Sequence, residues 1–261
     1  MLPAPSARHL AQRACTALAL LAAVLLAACA HRAPGPDVLA LAASAVAPGW
    51  SCLERWSPRA LPGKRSTRYA LGRTPEGRKA VAATAEASAS LLDHRLHRAP
   101  ETLGRLRFAW QVPKLIDAAD VRQRHGDDAP ARLVLAFDGD HARLSARNRA
   151  LFELAETLSG ERPPFATLMY VWDTPGPVGD TVVNNRTDRV RKIVVDAGAA
   201  QLGRWREHER DIAADFQAVY GEAPGALIGV ALMSDADNTG SQSMAWYGPV
   251  CLGPAPTPPA P

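Results

Sequence analysis

Two short acidic segments hold the residue types with which this chain could do chemistry. Met233-Ser234-Asp235-Ala236-Asp237-Asn238-Thr239-Gly240 follows an apolar run and brings two carboxylates and an amide into one turn. Asp at alternate positions ahead of Gly resembles the first half of an oxygen-ligand loop, because Ca2+ takes carboxylate and carbonyl oxygens from a sharply turned backbone. Asp235, Asp237 and Asn238 are therefore candidate ligands for a structural Ca2+. A helix-loop-helix calcium hand is excluded, since Trp246 stands where the bidentate Glu of such a loop would be. The same three residues can instead form an Asx turn bonded to the local backbone, or act as catalytic or ligand-contacting groups. The second segment is Gly126-Asp127-Asp128-Ala129-Pro130-Ala131-Arg132. Adjacent carboxylates can bind a cation or raise each other's pKa for acid-base work. The alternative is a turn of solvated charge in which Arg132 pairs with one of them.

Aromatic residues offer a different chemistry. Trp110, Tyr170, Trp172, Trp246 and Tyr247 fall in strand-like segments, where their rings can stack on sugars or pack a core. Trp246 and Tyr247 must point to opposite faces of their strand, so only one of them can join an exposed platform. Trp246, beside the acidic turn, is the candidate, together with Asp127 and Asp128 as polar ligand contacts. Familiar catalytic signatures are missing: there is no Gly-x-Ser-x-Gly elbow, P-loop, dinucleotide fingerprint or His-Glu-x-x-His pair. His94 and His97 sit in a polar strand or turn, and His208 in a charged segment. The chain therefore reads as noncatalytic. The enzymatic alternative is a glycan-cleaving hydrolase or lyase that uses Asp127, Asp128, Asp235 or Asp237.

Cys29 carries a third chemistry. Leu25-Leu26-Ala27-Ala28-Cys29 closes an apolar run that begins after Arg8 and Arg13, and it resembles the lipobox of bacterial lipoproteins. The resemblance implies cleavage before Cys29, a diacylglyceryl group on its thiol, and acylation (palmitate) of the new amino terminus. The apolar run is shorter than the ~20 residues of a membrane span, which disfavours an uncleaved helix. Ala30, where Asp would retain the protein in the inner membrane, implies outer-membrane delivery facing the periplasm; inner-membrane retention and surface exposure are the alternatives. The net charge of +4 includes Arg8 and Arg13, and no acid lies in residues 1–28, so cleavage leaves a nearly balanced chain. Such a balance argues against a nucleic-acid partner. Cys52 and Cys251 remain near the two ends of the folded part; in an oxidising periplasm they can pair, and the alternative is two buried thiols.

These groups need a scaffold. The predicted organisation is a signal peptide at 1–28, a lipidated Cys and tether at 29–47, a β-sandwich at 48–252 and a Pro-rich tail at 253–261. Alternation is clearest in LRFAWQV, 106–112, where Leu106, Phe108, Trp110 and Val112 share one face. ARLVLAFD, FATLMYVW, RKIVVDAG and ALIGVALM are apolar runs suited to sheet centres, and STRYALG, KAVAATAEAS and SMAWYG are weaker strands. Helices are predicted at 148–160, burying Leu151, Leu154, Ala155 and Leu158, and at 204–221, burying Trp205, Ile212, Phe216 and Val219. Many short strands with two amphipathic helices favour a mainly β fold, a sandwich or jelly roll.

Taken in order, LRFAWQV, AADVRQRHGDDAPARLVLAFD, YVWD, Trp205 through Phe216, and LMSDADNTG followed by AWYG resemble the bacterial exported family called domain of unknown function 3047. The resemblance spans about residues 48–250 and implies a secreted or lipid-anchored β-rich domain with no catalytic residues to carry over. By analogy of strand pattern, the sandwich is similar to carbohydrate-binding modules. The expected function is an envelope lipoprotein, held to the membrane by its lipid anchor, that binds a glycan or another envelope component; a structural partner of periplasmic proteins is a further alternative.

Overall fold

A computed structural model describes residues 39–41 and 47–254. Cys29, the signal segment and most of the tether and tail lie outside these residues. No helix among the described residues is long and apolar enough to cross a membrane.

The strands are β1 (Leu39–Ala40), β2 (Ser51–Cys52), β3 (Arg55–Ala60), β4 (Arg68–Arg73), β5 (Lys79–Glu86), β6 (Ser90–Arg98), β7 (Arg105–Gln111) and β8 (Arg132–Phe137). They continue as β9 (Ala166–Asp173), β10 (Thr181–Val183), β11 (Val190–Ala197), β12 (Arg206–Asp211), β13 (Leu227–Met233), β14 (Gln242–Tyr247) and β15 (Cys251–Leu252). Helix α1 spans Ala146–Ser159 and α2 spans Ile212–Tyr220. One sheet has eight strands in the order β1-β3-β6-β13-β8-β9-β11-β10. The other is ordered β2-β15-β7-β14-β5-β4, with β12 on β7. The ladders are antiparallel except for β9 with β11. Among the described residues the fold is thus a mainly β, two-sheet architecture with two α-helices.

Alternation explains the core. Leu133, Leu135 and Phe137 of β8, Tyr170 and Trp172 of β9, and Val230 and Leu232 of β13 face Phe108 and Trp110 of β7 and Tyr247 of β14 across one apolar interior. Tyr247 also reaches out of its own sheet: its hydroxyl donates to Met233 O at 2.6 Å and accepts from Arg132 N at 3.2 Å, tying β14 to the ends of β13 and β8. Cys52 and Cys251, opposite each other in β2 and β15, are joined by a disulfide.

Two predicted helices differ from what is observed. Residues 206–211 are a strand, β12, since Arg206, His208 and Arg210 alternate with Glu207, Glu209 and Asp211 and the segment pairs with β7 along its length. Glu209 then meets Arg105 at 2.5 Å and Arg107 at 2.6 Å, cross-strand partners that only the extended form provides. Helix α2 begins where Asp211 accepts from Ala214 N, and it ends at Gly221 with φ 72°. Helix α1 forms near the expected limits, capped by Ser145 and closed by Gly160 at φ 73°. It is anchored by Phe152, however, and Leu154 and Leu158 are 56% and 66% exposed instead of buried. The strand β3 was not anticipated, because RWSPRA lacks an apolar alternation beyond Trp56.

The sheets are also closed by charge. Asp196 of β11 accepts from Trp110 Nε1 and Arg206 Nε, each at 2.7 Å, and its Oδ2 lies 2.7 Å from His208 Nε2. Burial alone would raise this carboxyl, but His208, Trp110 and Arg206 hold it below the ordinary value. Asp196→Ala leaves these donors without an acceptor and should cost about 2–4 kcal/mol by urea denaturation at neutral pH. A depressed carboxyl stabilises the fold above its unfolded pKa, and that contribution is lost as pH falls through the lower folded value. The gap between wild type and variant should therefore narrow below about pH 4; a gap that stays constant into strong acid would rule out this linkage.

Candidate functional site

Because Leu133, Ile193 and Leu232 face the core, their neighbours Arg132, Lys192 and Met233 stand on the outer face of the eight-stranded sheet. Lys192 lies opposite Met169 in the parallel ladder, and Arg132 opposite Met233. Over this end of the face runs the connection from β7 to β8, residues 112–131. Val121 and Ala129 pack it onto Val171, Val182 and Val194, and Arg122 clips it to Asp173 and Asp180.

Asp127 is delivered by this connection into a buried charge network. Lys192 Nζ donates to Asp127 Oδ2 at 2.6 Å and to Val121 O at 3.0 Å. Arg132 Nη2 donates to Asp127 Oδ1 at 3.1 Å and to its carbonyl at 2.8 Å, while Arg132 Nε donates to Asp235 Oδ1 at 2.8 Å. With side chains 1% and 3% exposed, Lys192 and Arg132 have lost nearly all their hydration, which costs several kcal/mol per ion unless charge and hydrogen bonds replace it. Burial opposes ionisation of Asp127, yet Arg132 and Lys192 hold its carboxyl below the ordinary value. Burial, with Arg132 nearby, lowers the Lys192 ammonium against the pull of Asp127. The Asp235 carboxyl is pushed up to about 6 by burial, with Arg132 opposing and Asp128 adding to the rise.

The two acidic segments are one structure. Asp128 accepts from Asn238 N at 3.1 Å and from Thr239 N and Oγ1 at 2.7 Å each, and Asn238 Nδ2 donates to Asp127 O at 2.8 Å. Ala129 N donates to Asp235 Oδ1 at 2.9 Å, and Asp237 pairs with Lys64. Ligand oxygens of Asp128, Asp235 and Asp237 come within 4.8 Å of one another. Each of these carboxylates also meets a cation, backbone amides or a hydroxyl. Trp246 is elsewhere. Its neighbour Tyr247 points inward, so Trp246 lies half-buried on the outer face of the seven-stranded sheet, where a Cβ on Gly72 would stand 3.2 Å from its ring. It shares no surface with Asp127 and Asp128.

Asp127, Asp235, Asp237, Arg132 and Lys192 line an open pocket of about 270 Å3 whose rim adds Lys64, Arg124, Asn184, Asn185 and Arg186. Leu61, Met169 and Met233 belong both to this pocket and to an adjoining trough of about 710 Å3 along the outer face. The trough floor includes Val134, Ala136 and Ala231; one wall is Leu61 and Pro62, the other the end of α1 with Leu158, Pro163 and Pro164. Among the described residues no Trp, Tyr or Phe lines either part. Sequence reasoning paired Arg132 with an acidic turn but passed over Lys192 and Asn184. The available signal was a lysine inside an apolar strand, RKIVV, at a position the register makes buried.

Residues 54–251 match the family described as "Protein of unknown function (DUF3047)", and the chain belongs to that family. No curated protein matches. Among solved structures, the chain is similar to the Spr0440 glycoside hydrolase domain, Endo-D from Streptococcus pneumoniae R6, at 10% identity and a TM-score of 0.32. That alignment covers 76% of this chain and 22% of the other, so the chain spans less than a quarter of that protein's length.

Two measurements check the network. Asp127→Ala leaves the Lys192 ammonium buried beside one carbonyl and should destabilise the protein by about 3 kcal/mol, and Lys192→Met in the same chain should recover most of that loss. Additive losses in the double variant would show that the two residues do not act as a pair. Asp128→Ala unpairs two backbone amides and should cost about 2–4 kcal/mol, with millimolar Ca2+ leaving the wild-type melt in place. A Ca2+-dependent rise that a chelator reverses would instead assign the carboxylates to a cation.

Proposed function

We propose that this protein is a noncatalytic binding lipoprotein of the bacterial envelope, anchored through acylated Cys29, whose outer-face pocket and trough hold an envelope component. The observation that carries the reading is the open pocket on the eight-stranded sheet, in which the carboxylates are each paired or capped while Arg124 and Arg186 on the rim have no carboxylate partner among the described residues. A general base needs a carboxylate free to take a proton from substrate. Asp127 is clamped between Lys192 and Arg132, Asp128 caps a turn, Asp237 faces Lys64, and Asp235, although pushed up to about 6, is buried and accepts from Arg132 Nε and Ala129 N. Such groups support recognition better than turnover, which argues against the hydrolase or lyase alternative. A glycan would be held by the remaining amide N–H groups of Asn184, Asn185 and Asn238, each of which already makes one internal hydrogen bond, and no ring lines the pocket among the described residues. Two or more acyl chains on Cys29 would make the membrane attachment durable, since one chain binds only marginally.

The test is a binding and turnover panel on the full chain carrying Cys29→Ser, which lacks the proposed anchor: a peptidoglycan disaccharide-peptide, a neutral oligosaccharide and single-chain amphiphiles. Saturable binding of at least one probe, weakened by Asn184→Ala and without product formation, is expected. Product release from any probe would reassign the protein to the enzymes, and no binding at all would refute the reading.

A further inference from the structure

We propose that the pocket and trough together form a site for a phosphorylated single-chain lipid, with the phosphate in the pocket and the chain along the trough. The inference rests on the reading above and names its ligand class.

The two parts are continuous through Leu61, Met169 and Met233, and they differ in chemistry. Small-molecule sites occupy roughly 300–1,000 Å3, and the trough alone offers about 710 Å3. Leu158 shows why it is not merely an unfilled gap in the core: the residue is 66% exposed on a helix whose other face is anchored, and it borders the trough beside Pro163 and Pro164. Leaving such a side chain in water forfeits its transfer free energy, and an alkyl chain laid against it recovers that term. Across the mouth, Glu161 takes Arg59 at 2.6 Å and Arg95 at 2.7 Å, linking the α1 side to β3 and β6. These ions are 37–70% exposed, so the tie is weak and opens readily.

Charge decides the head. Lys64, Arg132 and Lys192 are paired with Asp127, Asp235 and Asp237, which leaves Arg124 and Arg186 on the rim with no carboxylate partner among the described residues. An ammonium has three donors, and Lys192 spends two, on Asp127 and Val121 O, while its side chain is 1% exposed and lines the pocket. A third buried donor lining one pocket with two guanidinium groups that meet no carboxylate among the described residues, and with the Asn184 and Asn185 amides, suits an oxyanion with several acceptor oxygens. A phosphate monoester is that group, and the apolar trough beside it selects one that carries a chain.

The experiment uses the full chain with Cys29→Ser and three probes below their micelle concentrations: dodecyl phosphate, butyl phosphate and dodecyl maltoside. Dodecyl phosphate should bind one to one and at least about tenfold tighter than either of the others. Gly229→Leu projects a side chain into the trough from a position where an added Cβ meets only ordinary contacts, 3.6 Å from Ala136 and 3.7 Å from Asp93. It should weaken dodecyl phosphate by roughly tenfold and leave butyl phosphate unchanged. Arg124→Ala combined with Arg186→Ala, both on the exposed rim and outside the buried network, should weaken both phosphate probes, with melts of the variants compared to wild type to confirm folding. Dodecyl maltoside binding as tightly as dodecyl phosphate, or no effect of Gly229→Leu, overturns the inference. If the disaccharide-peptide or oligosaccharide binds while dodecyl phosphate does not, this inference falls and the envelope-binding reading stands; if nothing binds, both fall.

Discussion

The pairing of Lys192 and Arg132 with Asp127 and Asp235 is the constraint around which the outer face is organised. Two basic side chains on adjacent parts of one sheet cannot stay ionised out of water unless acids are brought to them. The acids come from the two segments that are not strands: Asp127 from the long connection between β7 and β8, and Asp235 from the turn after β13. Satisfying the charges therefore fixes both segments on the sheet, and Asp128, reaching Asn238 and Thr239, fixes them to each other. The pocket is what remains beside this clamp.

Polar contacts serve a second purpose between the sheets. The hydrophobic effect favours burial but is non-directional, so it does not choose how two sheets are set against each other. Asp196 with Trp110, Arg206 and His208 supplies direction, as does Asp215, which takes Arg210 at 2.6 Å and the Tyr170 hydroxyl at 2.8 Å. The Tyr247 hydroxyl adds a link from β14 to β8 and β13. The Cys52–Cys251 disulfide closes a sequence separation of 199 residues, for which chain entropy sets a ceiling of about 5 kcal/mol.

How far this was legible in sequence follows from the range of each interaction. Strands such as LRFAWQV announce themselves because their alternation is local, and the caps of both helices were visible in Gly160 and Gly221. RWREHERD was misread as helix because its charges also suit a solvated helical face; the strand is chosen by Arg105 and Arg107, about a hundred residues away in sequence. The acidic turns were found as separate features. Their union depends on the register that sets β13 beside β8, which neither turn encodes. Trp246 was assigned to them from proximity in sequence, and the alternation that sends Tyr247 inward carries its ring to the opposite surface.

The trough follows from the same alternation. A sheet buried on one face needs cover on the other only where its outward residues are apolar, and β8, β9 and β13 place Val134, Met169 and Ala231 there. The β7–β8 connection covers one end and is held there by charge pairing at Asp127. Helix α1 covers the other side but is drawn toward the core by Phe152, which leaves Leu158 at the border of the gap. An apolar strip between a charged clamp and a helix held off it is thus a consequence of how the two covers are anchored.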